Sequence, residues 1–172
     1  TLNLITTSAG LAVAEVLEEY CSLVSSIKWP NDILLSSGKV CGILTRLITE
    51  EGKIKFALIG IGINVSGKKK DFPEEIKDIA TTLEEETETI FDKNFLTEKI
   101  IENLDEIFMN KKYTEKQIVE NVKKRSAMLG KNVFVKSENR EFFAVDISSD
   151  GGLVVCDGEE TKVIHSGEVE FS

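Results

Sequence analysis

The chain has 172 residues and a formal charge of −9, from 30 Asp and Glu against 21 Lys and Arg. With 41% hydrophobic and 30% charged residues it has the profile of a soluble globular protein, long enough to bury about 70% of its unfolded surface without a disulfide or metal staple. The acidic balance speaks against a general nucleic-acid or anionic-membrane binder, and scattered Cys21, Cys41 and Cys156 with one histidine form no zinc-ligand set and suit a reducing cytoplasm.

Residues 8–20 read as a helix, with Val13, Val16, Leu17 and Tyr20 on one face and Thr7 or Ser8 as cap. Glu18 and Glu19 fall off that stripe and are expected in solvent. Residues 25–65 read as a strand meander. Ser25–Trp29 stops at the Pro30-Asn31-Asp32 turn, Ile33–Leu35 runs into Ser36-Ser37-Gly38-Lys39, Val40–Thr49 returns, and Ile54–Val65 follows a second turn. Ile54–Val65 is apolar on both faces, which predicts a central, doubly covered strand. Phe56–Val65, the longest apolar run, falls far short of the roughly 20 residues a spanning helix needs.

The parity of that strand separates two faces. Ile59, Ile61 and Ile63 share one and should meet helices. Gly60, Gly62 and Asn64 share the other, where paired glycines leave a bare groove into which something can approach the backbone closely. Gly60-x-Gly62 lacks the third glycine and the following helix of a dinucleotide fingerprint.

Residues 66–93 are loop-rich and charged, with a short helix near 74–86. Glu84-Glu85-Glu86 is expected to be a solvated face, and Lys68-Lys69-Lys70 a flexible loop. A stronger helix spans 95–109, and Thr114-Glu115-Lys116-Gln117 has the form of a capping box ahead of another. From about residue 127 five short strands follow: Asn132–Lys136, Glu141–Ile147, Leu153–Cys156, Thr161–His165 and Glu168–Phe171. Their spacing predicts a small β-barrel or sandwich. A Ser/His/Asp triad can be drawn around His165 and Ser166, but no nucleophile-elbow motif accompanies it, so a partly exposed barrel histidine is expected.

Three segments carry the chemistry: Lys28-Trp29-Pro30-Asn31-Asp32, Lys39-Val40-Cys41-Gly42-Ile43-Leu44 and Gly60-Ile61-Gly62-Ile63-Asn64-Val65. Lys28 ends a strand beside a turn, where its ammonium can serve as a point charge for a carboxylate or phosphate oxygen. The plainer reading is a surface lysine next to a core Trp29. Singly, the other two segments read as ordinary strands with a glycine.

In this order, KWPND, KxxGIL and GIGINV resemble the biotin–protein ligase family, and the resemblance continues through Phe72-Pro73-Glu74 and Ala80-Thr81-Thr82-Leu83 into Ser166-Gly167-Glu168-Val169. It implies an α+β fold: a core over 1–126 with helices packed on a mixed or antiparallel sheet, like class II aminoacyl-tRNA synthetases. A small Src homology 3-like β-barrel over 127–172 follows. It implies ATP-dependent attachment of biotin, with Mg²⁺ assisting, to a lysine of a biotin carboxyl carrier domain through biotinyl-adenylate. Lys28 would be the catalytic lysine at biotin's carboxylate and the adenylate phosphate. Gly42, Ile43, Gly60 and Gly62 would line the biotin cavity, Asn64 would stand on the nucleotide side, and no residue would hold a metal. A homodimer would be in keeping with the family; DNA and membrane partners are not expected. The family's Gly/Arg-rich adenylate loop is not among these residues, whose only arginines are Arg46, Arg125 and Arg140, so the chain is expected to represent the C-terminal two-thirds of a ligase. Lipoate attachment, or a non-catalytic biotin- or carrier-binding remnant, are the rival readings.

Overall fold

The computed structural model describes residues 1–172. Its first helix, α1 (Leu2–Cys21), begins well before the expected start because Thr1, not Thr7 or Ser8, caps it by accepting from the Leu4 N–H at 3.3 Å. Thr7 and Ser8 lie inside the helix and turn their hydroxyls back to the carbonyls of Asn3 and Leu4. Burial of α1 extends around most of its circumference, from Thr6 to Ala14, because the sheet lies on one side and two later helices on others.

The sheet under α1 has the order β1 (Ser26–Lys28), β2 (Asp32–Leu35), β3 (Gly38–Glu50), β4 (Lys53–Ile63), each antiparallel to the next. Ile27, Ile33, Val40, Cys41 and Ile43 join Leu11, Val13 and Leu17 of α1 in one core cluster. Ile59, Ile61 and Ile63 pack against it from β4, as their parity predicts. The expectation that β4 is a doubly covered central strand is overturned. It is an edge strand, and Ile54, Phe56 and Leu58 on its other face are 64, 47 and 52% exposed. Two-sided apolarity records what the strand can accept on each face, and only one face is covered in this structure.

Helix α2 (Leu83–Thr87) is shorter than the 74–86 expectation, which is otherwise occupied by turns. Helix α3 (Lys93–Phe108) is capped by Asp92, and α4 (Glu115–Lys124) has the reciprocal Thr114–Gln117 capping box read from the sequence. Both pack on α1 through Leu96, Ile100, Ile107, Ile118, Val119 and Val122. Polar clasps fix the three helices together. Arg125 takes Glu18 in a two-pronged ion pair at 2.8 and 2.7 Å, so Glu18 is engaged rather than solvated. Glu15 accepts from Asn103, Lys112 and the Tyr113 hydroxyl at 3.1, 3.0 and 2.8 Å.

Burial pushes the Glu15 carboxyl up, but those three donors outweigh it and hold the group below its ordinary 4.5. Stability from a depressed carboxylate is present in full above the unfolded value and is lost as pH falls through the lower folded one. Glu15→Gln is therefore expected to flatten the loss of stability below about pH 4.5, which acid titration of the denaturation midpoint checks.

A second sheet has the order β8 (Thr161–Ile164), β7 (Leu153–Cys156), β6 (Arg140–Ile147), β5 (Asn132–Val135), β9 (Val169–Phe171), all neighbours antiparallel. The expected strands are all present, each within about two residues of its observed ends. No ladder joins β8 to β9, so the expected barrel is an open five-stranded sheet by its hydrogen bonds. Its alternate residues Val133, Val135, Phe142, Ala144, Leu153, Val155 and Val169 form a second cluster.

Trp29 belongs to this second cluster, not to the α1 core, although it directly follows β1. It is 1% exposed, and its Nε1–H donates to the Gly151 carbonyl at 2.9 Å. One side chain from the first sheet thus plugs the second. Trp29→Ala is expected to cost about 3–5 kcal/mol, read by far-ultraviolet circular dichroism during denaturation because Trp29 is the chain's sole tryptophan. The Trp29–Pro30 peptide is cis.

Candidate functional site

Three local devices position the candidate residues. The turn after β1 is clipped to β3 at two points: the Ile43 N–H donates to the Asn31 carbonyl at 2.9 Å, and Asn31 Nδ2 donates to the Ile43 carbonyl, also at 2.9 Å. This holds Lys28 and Asp32, which are opposed in the β1–β2 ladder, at one end of the sheet. The second device is the glycine pairing. Gly42 lies opposite Gly62 and Leu44 opposite Gly60 in the β3–β4 ladder, so the uncovered face has no side chains at three neighbouring places. A Cβ at Gly60 would meet only the Leu44 carbonyl oxygen at 3.7 Å, and one at Gly62 only that of Gly42 at 3.8 Å. The groove floor is backbone.

The third device is the acidic run on α2, and it corrects the expectation of a solvated face. Glu84 accepts from the Gly67 N–H at 2.9 Å and Glu85 from the Lys69 N–H at 3.4 Å. Glu86 takes the Ser37 N–H at 3.0 Å, the Ser36 hydroxyl at 2.6 Å and the Ser37 hydroxyl. Burial raises the Glu86 carboxyl, but the serine donors win and hold it below the ordinary range. Three consecutive carboxylates thus pin two loops beside the sheet. Residues 69–71 consequently form a 3-10 turn closed by Asp71 on the Lys68 N–H, in place of the expected flexible lysine loop.

Lys28 opens onto a cavity of about 390 Å³ whose walls include Pro30, Asn31, Asp32, Lys39 and, from the loop between β8 and β9, Gly167 and Glu168. Its Nζ lies 5.9 Å from the centre of the Phe171 ring. Lys136 first, and Lys28 more weakly, hold the Glu168 carboxyl below its ordinary range. The cavity is therefore a polar pocket with Lys28, Lys39 and Asp32 on the side of the first sheet and Glu168 on the other.

The structure brings Lys28, Gly42, Gly60 and Gly62 to one end and one face of the sheet. Ile43 departs from that set. Strand parity turns its side chain to the helix side, where it is 2% exposed and would lie 3.7 Å from a Cβ at Gly10 of α1, and its amide and carbonyl are both used by Asn31. Asn64 also stands apart, lining a separate apolar cavity of about 590 Å³ with Ile61, Ile63, Phe72 and Ile100. Its backbone joins Val40 and Leu83.

Sequence reasoning quoted Lys39 within its segment without giving it a role, and left out the wall formed by the loop before β9. Lys39 differs in parity from Gly42 and comes to the open side only through the register shift between Ile33 and Leu34 in the β2–β3 ladder, and Glu168 arrives through a contact 140 residues from Lys28; no local spacing signals either. His165 faces solvent, with Nδ1 3.5 Å from both an Asp150 oxygen and Asn3 Nδ2; no hydroxyl nucleophile is bonded to it. None of the helices is long and apolar enough to cross a membrane.

Comparisons with known proteins agree with this architecture. Residues 1–64 match the family described as Biotin/lipoate A/B protein ligase family, and residues 128–172 match Biotin protein ligase C terminal domain. The Bacillus subtilis bifunctional ligase/repressor BirA is 33% identical over 172 residues, covering 97% of this chain and 52% of that protein. The biotin–[acetyl-CoA-carboxylase] ligase of Mycobacterium tuberculosis is 27% identical over 168 residues, covering 94% of this chain and 60% of the relative. The chain thus spans about half the length of the curated relatives it matches. Among solved structures, the biotin protein ligase of Aquifex aeolicus superposes with a TM-score of 0.87 at 32% identity, over 99% of this chain and 76% of that one. The same enzyme in complex with biotin and ATP gives 0.82 at 33% identity, over 100% of this chain and 73% of the other. Two matched families placed in this order, a shared fold and a sequence likeness that runs from end to end make the chain a member of the biotin–protein ligase family.

Proposed function

We propose that this chain carries the Lys28 side of a site that activates biotin with ATP and passes it to a lysine of a biotin carboxyl carrier domain. The observation that bears most weight is the continuity of two surfaces. A side-chain-free floor at Gly42, Gly60 and Gly62 lets a compact ring system approach the backbone closely, and it ends at a polar cavity with Lys28 on its wall. A ligand with a compact bicyclic head and a carboxylate tail matches that succession.

In the first step an oxygen of biotin's carboxylate attacks the α-phosphorus of Mg·ATP, the bond to the β-phosphate oxygen breaks, and pyrophosphate leaves. In the second, the carrier amine attacks the acyl carbon of the mixed anhydride. AMP departs, and the amine gives up a proton as the amide forms. Lys28 would offset the charge on the carboxylate and on the α-phosphoryl oxygens, which is positioning and electrostatic work. Mg²⁺ would enter with the nucleotide as part of the substrate, since magnesium commonly rides on phosphates. In this reading 1–126 is the ligase core and 127–172 a β-unit that closes the polar cavity. No DNA contact is assigned to these residues, whose formal charge is −9.

Calorimetric titration with biotin, then with biotin and Mg·ATP while pyrophosphate is measured, tests the proposal. Biotin binding followed by pyrophosphate release supports it. Binding without release points to a non-catalytic module, and preferential competition by lipoate points to lipoate attachment.

A further inference from the structure

We propose that Lys39 is a second cation of the ligand site, held by Asp32 over the glycine floor and aimed at the anionic group that Lys28 meets from the other side. The inference rests on the ligase reading and extends it to a residue outside the Lys28 motif's own strand.

Three observations carry it. Lys39 Nζ lies 2.6 Å from Asp32 Oδ1, and both residues line the Lys28 cavity. A Cβ built on Gly42 would stand 3.3 Å from both Cε and Nζ of Lys39, so the ammonium hangs over the place where β3 has no side chain, opposite Gly62. The lysine backbone is also fixed independently of its side chain: its N–H donates to the Ile79 carbonyl at 2.7 Å, and its carbonyl accepts from the Thr81 N–H at 2.9 Å. The side chain therefore starts from a rigid base at the junction between the bare floor and the polar cavity.

An exposed ion pair would be a sufficient account of Lys39 if it lay anywhere else. Its side chain is 41% exposed while that of Asp32 is 16% exposed, and such pairs add little to stability. An ammonium has three donors, and Asp32 is the only carboxylate within ion-pair distance of this one. The remaining donors have no carboxylate partner, on a residue that lines the cavity. Asp32 thereby keeps the cation at the floor rather than in solvent.

The shared ligand chemistry is an anionic oxygen, either the carboxylate of biotin or the α-phosphate of ATP, and the two are separable. In the purified protein, Lys39→Met and Lys39→Arg are compared with the unaltered chain for binding of biotin, binding of the neutral alcohol biotinol, and the KM for Mg·ATP in pyrophosphate release. If the cation meets the carboxylate, Lys39→Met weakens biotin by about tenfold or more, the usual worth of a charge-assisted hydrogen bond, and leaves biotinol unchanged. If it meets the phosphate, biotin binding holds and the KM for Mg·ATP rises by about the same factor. Arg at 39 restores part of either loss, and the melting temperatures of the variants stay with the parent. An active parent whose Lys39→Met variant matches it in all three readouts overturns the assignment to Lys39 alone. Equal loss for biotin and biotinol, or no rescue by Arg, overturns it in favour of a structural role. A parent that neither binds biotin nor releases pyrophosphate removes the ligase reading, and the assignment with it.

Discussion

Lys28→Ala is expected to slow biotinyl-adenylate formation by about 100-fold or more, the scale seen when one preorganised charge or donor is removed from a water-poor site. The fold should survive the change. Lys28 takes part in the β1–β2 ladder through its backbone, and its side chain stands in the polar cavity, outside both hydrophobic clusters. Nor does its removal strand a charge: Glu168 keeps Lys136 at 2.9 Å. A stability change within about 0.5 kcal/mol is therefore expected. Lys28→Arg tests geometry apart from charge, because a planar guanidinium cannot occupy the position of a compact ammonium between two oxyanions. Pyrophosphate release at saturating biotin is the measurement. An unchanged rate in Lys28→Ala would sink the catalytic assignment.

Much of this site was legible because strand geometry is strict. Alternation alone separates Ile59, Ile61 and Ile63 from Gly60 and Gly62, and the structure keeps that division. The same rule, applied one residue at a time, would have removed Ile43 from the cavity wall, since its neighbour Gly42 already occupies the open face. The resemblance paired the two residues, and a strand cannot present both on one side. Asn64 eludes the rule because β4 ends at Ile63, and beyond a strand's end alternation no longer applies.

Other features were out of reach for a different reason. Glu84, Glu85 and Glu86 look like a solvated acidic patch because a sequence shows side-chain charge but not which backbone amides lie unpaired nearby. Those amides belong to Gly67, Lys69 and Ser37, brought in by tertiary packing. The place of Trp29 in the second cluster is similar: burial was readable from its type, but its cluster was not. Edge or centre for β4 depends on what lies beside it, which no periodicity encodes.

The glycine floor leads to a prediction in which stability and binding move in opposite directions. Gly62→Val is expected to leave the free protein as stable as before, or more stable by about 0.5–1 kcal/mol, because a β-branched residue suits a strand and glycine does not. Nothing in the structure opposes the added side chain. Gly62 is not among the glycines with positive φ, and its Cβ would meet only the Gly42 carbonyl oxygen, at an ordinary 3.8 Å. The two added methyls would instead rise into the groove between Gly42, Gly60 and Leu44. If biotin's bicyclic ring lies on that floor, they take its place, and biotin binding should weaken by about 100-fold or more, the cost of overfilling a fitted contact by a few kcal/mol. Thermal denaturation and biotin calorimetry on one preparation measure both quantities. A variant that melts higher and no longer binds biotin would mean that the empty face is kept empty for a ligand at a cost in strand stability. A variant that binds biotin as the parent does would put the ring elsewhere, and the glycine pair would need another explanation.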